Sequence, residues 1–125
     1  TAARTPFFFF NDTATTEIYT NVDTLLGTIR GAGYTGPITY MNLYATDYSV
    51  PSTLQFLGFL NATVANVARS AGAKVANAYG AFQTAAGAQS PCAAGLLIPN
   101  PAGGCDVHPS AAGAAVLAQS VRDAQ

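Results

Sequence analysis

The residues best suited to chemistry lie together near the C-terminal end of the sequence. His108 is the single histidine of the chain, and Asp106 stands two positions before it. An imidazole can take up and return a proton near neutral pH, and a neighbouring carboxylate can orient it. A lone histidine is more often structural, but this one lies in a Gly-rich stretch beside Cys105, immediately before a predicted helix. We therefore predict that His108 is an exposed and oriented general base.

Serine residues are the candidate nucleophiles for such a base. Ser110 is the serine nearest to His108 in the sequence. At the start of a helix, however, a serine hydroxyl typically accepts backbone N–H groups, and we expect this capping role for Ser110. Ser49 follows the first predicted strand, where open parallel sheets bind ligands, although its position before Pro51 favours an ordinary turn. No Gly-rich phosphate loop follows a predicted strand, and no cofactor is predicted.

Two cysteines, Cys92 and Cys105, enclose a segment rich in proline and glycine. A disulfide between them would contribute about 3 kcal/mol by restricting the unfolded chain. We favour this disulfide, which implies an oxidising compartment and hence a secreted protein. A pair of buried thiols is the alternative. A metal site is less favoured, because the chain has one histidine and no second cysteine pair.

Composition excludes several kinds of partner. Half of the 125 residues are hydrophobic, and five Lys/Arg residues oppose six Asp/Glu residues without a basic cluster. Nucleic acids and anionic membranes attract basic patches, so neither is predicted as a partner. The longest apolar runs, Pro6–Phe10 and Ala111–Ala118, are far shorter than the roughly 18 residues of a membrane span. Residues 1–11 lack the features of a signal peptide, so we expect a mature chain or one incomplete at its front.

The elements that must position these residues alternate between helix and strand. The sequence predicts helices at 21–31, 51–72, 80–88 and 109–123, and strands at 38–44 and 73–78. Asn21 or Asp23 is expected to cap the first helix. This alternation favours an α/β fold built from parallel βαβ units. Two strands do not complete a doubly wound sheet, so we expect a missing part or a second chain that supplies it.

Residues 1–20 differ from the rest of the sequence. Phe7–Phe10 is a run of four phenylalanines, and Asn11–Thr20 shows neither a helical nor a strand period. This decapeptide resembles the in-frame translation of a sequencing-library adapter, so we interpret residues 1–20 as a non-native extension. The alternative is a natural strand at Pro6–Phe10 followed by a threonine-rich loop. Either way, four phenylalanines are too apolar to remain in water and should pack against the sheet or a partner.

The remaining sequence resembles a known family. The run Asp106–Gly113 is similar to the last conserved block of SGNH/GDSL hydrolases. The wider segments Asp23–Leu26, Gly36–Ile38, Asn42–Tyr44 and Cys92–Cys105 are similar to secreted actinobacterial members. The resemblance covers about residues 21–125 and implies the C-terminal half of an SGNH domain. The implied fold is an incomplete flavodoxin-like, three-layer parallel sheet that lacks its N-terminal half, and dimerisation is one way in which it could be completed.

The chemistry that this resemblance implies is carboxylic ester hydrolysis on a small ester or acyl substrate. A serine attacks the ester carbonyl, His108 accepts its proton and passes it to the leaving alcohol, and an acidic residue orients the imidazole. In the family spacing that acid lies three residues before the histidine, where this chain has Cys105. Asp106 is the available carboxylate. A backbone carbonyl is the alternative if its side chain points elsewhere.

The front of the family pattern is not matched. The chain contains no Gly-Asp-Ser, the motif that carries the nucleophile. Asn11 lies in the sequence Phe9-Phe10-Asn11-Asp12, which weakly resembles the oxyanion block, so it is considered as an oxyanion donor. We expect hydrolysis to be weak or absent unless another residue or chain completes the site. A self-associating fragment, present as a homodimer or higher homo-oligomer joined through Phe7–Phe10, is the alternative function. A flavodoxin-like binding module is favoured least.

Overall fold

The described part of the chain folds into four helices and four short strands. The computed structural model describes residues 6–125, with side chains from residue 16 onward. In chain order the elements are α1 (Pro6–Gly31), β1 (Thr39–Met41), α2 (Pro51–Ser70), β2 (Lys74–Ala76), α3 (Ala78–Ala86), β3 (Leu97–Pro99), β4 (Cys105–Pro109) and α4 (Ala111–Asp123). The predicted α/β class is confirmed at this level.

The first sheet is the predicted parallel pair. β1 and β2 pair in parallel with Tyr40 opposite Val75, and α2 forms the crossover between them. Pro51 occupies the first turn of α2, where its missing N–H costs no helical hydrogen bond. The strands are shorter than the predicted ranges 38–44 and 73–78. Beyond Met41 the chain keeps one further ladder bond, from the Asn42 N–H to the Ala76 carbonyl at 3.0 Å.

The N-terminal helix is longer than predicted. α1 begins at Pro6, so the prediction that Asn21 or Asp23 caps it is wrong. The alternative of a strand at Pro6–Phe10 is also wrong. After Pro6, the next twenty residues contain neither proline nor glycine to interrupt a helix. The side chains of Phe7–Phe10 lie outside the described residues. The C-terminal end at Gly31 agrees with the prediction.

Two hydrophobic clusters hold the elements together. The first joins α1 and α2 to the parallel sheet, with Leu26 and Ala68 buried beside Tyr40. The second joins α3 and α4 to the β3–β4 pair around Phe82, whose side chain is fully buried. Leu25, next to Leu26 in α1, is exposed. The second cluster supports the segment that carries His108.

An antiparallel pair, β3–β4, was not predicted. It places Leu97 opposite Pro109 and Pro99 opposite Cys105. His108 therefore lies in a strand rather than in the predicted loop. The prolines and glycines of this segment are typical of a loop, so the sequence did not predict the pair. The pairing depends on the packing of Leu97 into the second cluster.

Candidate active site

The candidate site is built on a bulge in β4. Between the two paired positions of the antiparallel pair, the single residue Ile98 of β3 lies opposite Asp106, Val107 and His108 of β4. Extra residues in one strand bend it outward and redirect its side chains, as β-bulges do beside many active sites. Asp106 and His108, two residues apart in β4, lie within this irregular part of the pair.

The carboxylate and the imidazole form a direct contact. The Nδ1 atom of His108 lies 3.0 Å from the Oδ1 atom of Asp106. An ionised carboxylate only accepts hydrogen bonds, so the ring donates from Nδ1. In the neutral ring, Nε2 is then left without a proton. The side chain of His108 is 71% exposed and that of Asp106 is 46% exposed, so Nε2 is accessible from solvent.

Asp106 is fixed by a second donor. Its Oδ1 atom also accepts the backbone N–H of Val107 at 2.6 Å. The hydrogen bond from the His108 ring, followed by the bond from the Val107 N–H, holds the pKa of Asp106 below its ordinary value. The carboxylate therefore stays ionised at neutral pH and can keep orienting the imidazole.

The start of α4 is held firmly next to this pair. Ser110 is the N-cap of α4, and its Oγ accepts the Gly113 N–H at 3.2 Å, as predicted for a capping residue. The same hydroxyl donates to the Gly95 carbonyl at 2.6 Å. The backbone N–H of Ser110 donates to the Leu96 carbonyl at 2.9 Å. The two bonds to Gly95 and Leu96 fix the strand end that carries His108 to the segment before β3.

The predicted disulfide anchors the other end of β4. Cys92 and Cys105 are bonded, with their Cα atoms 5.7 Å apart. Cys105 is the first residue of β4, so the crosslink ties the strand to the turn that follows α3. His108 therefore lies between a covalent anchor and a capped helix. The bond also fits an oxidising compartment and is compatible with an extracellular location.

Tyr44 is a residue of the site that the sequence interpretation missed. Its hydroxyl donates to the carbonyl of Val107 at 2.6 Å, which lies between Asp106 and His108. Its ring stacks on Phe82, with the ring centroids 4.2 Å apart. Burial, and then the negative charge of Asp106, raise the pKa of the Tyr44 hydroxyl. The available signal was the position of Tyr44 just after a strand of the parallel sheet.

Asn61 supports the same region from α2. Asn61 is a buried polar residue of α2, with 8% of its surface exposed. Its amide accepts the Leu43 N–H at 3.1 Å and donates to the Leu43 carbonyl at 2.9 Å. A buried amide must be satisfied in this way, and here it substitutes for a neighbouring strand. The residue before Tyr44 is thereby fixed in place.

No serine of the chain engages the imidazole. Five of the six serine hydroxyls bond to other groups: Ser49 to Asp47, Ser70 to Asn66, Ser90 to Ala93, Ser110 to Gly95 and Gly113, and Ser120 to Leu117. Within residues 16–125, the only side-chain partner of His108 is Asp106. The turn role expected for Ser49 agrees with its bonds to Asp47. Asn11 belongs to α1, but its side chain lies outside the described residues.

Two clefts lie away from the pair. One, of about 550 Å³, runs between α3 and α4 and is lined mainly by small apolar residues. The other, of about 300 Å³, lies beside Asp47 and Ser49. Neither is lined by His108 or Asp106, whose side chains are 71% and 46% exposed.

Comparisons with known proteins add no relative. The chain matches no protein-family model, no curated protein and no solved structure. In the part of the chain that the structure describes, no helix combines the length and hydropathy needed to cross a membrane. Functional inference therefore depends on the chemistry of the site.

Proposed function

We propose that this chain carries the histidine–acid part of a carboxylic ester hydrolase of the SGNH/GDSL type. The observation that supports the proposal is the 3.0 Å contact between His108 Nδ1 and Asp106 Oδ1, with the ring exposed. This contact supports an orienting role for Asp106, although Asp106 lies two residues before the histidine instead of three. The parallel β1–α2–β2 unit and the Cys92–Cys105 bond agree with a secreted α/β hydrolase.

The proton steps follow from the tautomer. Nε2 of His108 accepts the proton of an attacking hydroxyl as its oxygen bonds to the ester carbonyl carbon. The resulting imidazolium is stabilised by Asp106, which is already ionised. When the bond to the alkoxy oxygen breaks, Nε2 returns the proton to the leaving alcohol. The net reaction consumes one water and yields an acid and an alcohol.

The nucleophile distinguishes this chain from a complete hydrolase. The Gly-Asp-Ser motif is absent from the sequence, and no serine hydroxyl bonds to His108 in residues 16–125. Water activated by Nε2 is therefore the nucleophile available to this chain alone. Hydrolysis should be slow, because triad enzymes lose several powers of ten in rate when the serine is removed.

Hydrolysis of p-nitrophenyl acetate tests the proposal. We expect wild-type chain to release p-nitrophenolate about tenfold or more faster than an equimolar N-acetylhistidine amide, since an oriented base outperforms a free one. His108→Gln should fall to the rate without protein. Because the chain has one histidine, no other imidazole contributes. A rate equal to that of the free imidazole compound, or unchanged in His108→Gln, would contradict the proposal.

The edge of β1 favours self-association as a second candidate function. The Ile38 carbonyl and the Asn42 N–H bond to β2, so the intervening residues Thr39 and Met41 direct their backbone groups to the opposite, open edge. Met41 is 37% exposed there. An open strand edge can pair with a second copy of the chain. Light scattering at micromolar concentration tests this candidate, and a stable monomer would contradict it.

A further inference from the structure

The bulge that presents His108 cannot hold its own geometry through strand pairing. Asp106, Val107 and His108 have no register partners on β3, where only Ile98 lies between the paired positions. A bulged segment has lost part of its ladder of hydrogen bonds and needs other contacts to fix it. A contact from another part of the chain to the backbone of Val107 therefore has the largest effect on the positions of the Asp106 and His108 side chains.

Tyr44 supplies that contact from a distant part of the chain. Its hydroxyl donates to the Val107 carbonyl at 2.6 Å across a sequence separation of 63 residues. This is the carbonyl of the residue between Asp106 and His108. A shift of that peptide would move both side chains, and the 3.0 Å contact between them leaves little freedom for such a shift.

Tyr44 is itself held rigidly. One face of its ring stacks on Phe82, which is fully buried in the second hydrophobic cluster. The preceding residue, Leu43, is clamped by both polar atoms of the Asn61 side chain. The hydroxyl is thus presented from the carboxyl end of β1 by the core and by α2. A side chain fixed in this way can transmit the position of the parallel sheet to the bulge.

We propose that Tyr44 is a positioning residue for His108. Its hydroxyl fixes the carbonyl of Val107, between Asp106 and His108, and thereby keeps the Asp106 carboxylate in contact with Nδ1 of the imidazole. This role deepens the proposed function and rests on it, because the proposed function is what gives the His108–Asp106 pair a catalytic task. The positioning itself concerns only the state of the imidazole, so it can be tested without hydrolysis.

The tautomer of His108 is the direct measurement. With a single histidine, a ¹⁵N-labelled chain gives one pair of ring nitrogen signals. With the ring neutral, we expect a protonated Nδ1 and an unprotonated Nε2 in the wild type. In Tyr44→Phe, both nitrogen shifts should move toward those of Asp106→Asn, because the carboxylate is less firmly held. In hydrolysis, Tyr44→Phe should lower kcat several-fold and leave KM unchanged, since it touches no substrate.

Tyr34→Phe is the matched control. It also removes a tyrosine hydroxyl that donates to a backbone carbonyl, that of Pro37 at 2.9 Å, without contact to the bulge. Its ring nitrogen shifts should equal those of the wild type. Identical shifts in Tyr44→Phe and wild type would overturn the proposal, as would an unprotonated Nδ1 in the wild type. If the ring nitrogen shifts change in Tyr44→Phe but the wild type shows no hydrolysis, the proposed function is contradicted and the positioning role is supported.

A second measurement covers the case in which Tyr44→Phe does not fold. In the wild-type chain, nuclear Overhauser contacts between the Tyr44 ring protons and the backbone protons of residues 106–108 are expected, given the 2.6 Å bond. Their absence would overturn the proposal without any variant.

Discussion

The backbone of Gly113 lies directly against the carbonyl oxygen of Leu96, with no room for a side-chain carbon between them. The same carbonyl accepts the N–H of Ser110 at 2.9 Å. The first turn of α4 is therefore seated on the segment that leads into β3. Since His108 lies two residues before Ser110, this close approach helps to fix the position of the imidazole.

Gly113→Ala should destabilise the fold by about 1–3 kcal/mol, because its Cβ would force the start of α4 away from Leu96. Alanine is otherwise the better helix former by about 1 kcal/mol. Gly58→Ala in α2 is the matched control, since nothing lies within 4 Å of its Cβ position, and it should stabilise the chain. Urea denaturation measures both. Equal effects of the two substitutions would show that α4 is not seated on Leu96.

Removal of the disulfide should destabilise the chain by about 3 kcal/mol, the value for a closed loop of this length. The two bridged residues, Cys92 and Cys105, are 13 positions apart in the sequence. The unfolding midpoint in urea is expected to fall when dithiothreitol is added to the wild type. A Cys92→Ala/Cys105→Ala chain should match the reduced wild type and not respond to dithiothreitol. A wild-type midpoint insensitive to reductant would contradict the crosslink.

Ser110→Ala should cost about 1 kcal/mol of stability, because the N-cap of α4 is lost. Hydrolysis by the folded chain should persist, since the Ser110 hydroxyl donates to Gly95 rather than to His108. Ser110→Asn retains a capping group and should be more stable than Ser110→Ala. Complete loss of hydrolysis in both folded variants would instead identify Ser110 as the nucleophile.

Acid should weaken the loop that follows β1 through Asp47. Hydrogen bonds from the Ser49 hydroxyl, at 2.6 Å, and from the Ser49 N–H hold the pKa of Asp47 below its ordinary value. A carboxyl whose pKa is lower in the folded state stabilises the fold above its unfolded pKa, and this contribution is lost as pH falls through the folded pKa. Between about pH 6 and pH 3, the stability of Asp47→Asn should therefore decline less than that of the wild type. Parallel declines in urea titrations would contradict the shift.

The sequence predicted the parts of the fold that depend on local pattern. Pro51 marks the start of α2, and the apolar run around Val75 marks β2, so the parallel unit followed from spacing. The start of α1 was missed because no periodic apolar face marks residues 6–20, although nothing there interrupts a helix. The antiparallel pair was missed because its strands are only three and five residues long and contain prolines.

The candidate site was likewise predicted only in part from the sequence. The sequence identified His108, Asp106 and the two cysteines, because their types and proximity carry the chemistry. It could not predict the irregular pairing of β3 with β4, or the direct contact of Asp106 with Nδ1 of His108, since these depend on tertiary packing. Tyr44 lies 63 positions before Val107 in the sequence, and local sequence patterns do not predict contacts across such a separation.

The central claim is that His108 and Asp106 act as one unit in ester hydrolysis, and a double-mutant cycle tests it most directly. The measurement is kcat/KM for p-nitrophenyl acetate in the wild type, Asp106→Asn, His108→Gln and the double variant. We predict that Asp106→Asn lowers kcat/KM about tenfold or more. The double variant should be no slower than His108→Gln alone. Additive losses, or an Asp106→Asn chain as active as the wild type, would contradict the account.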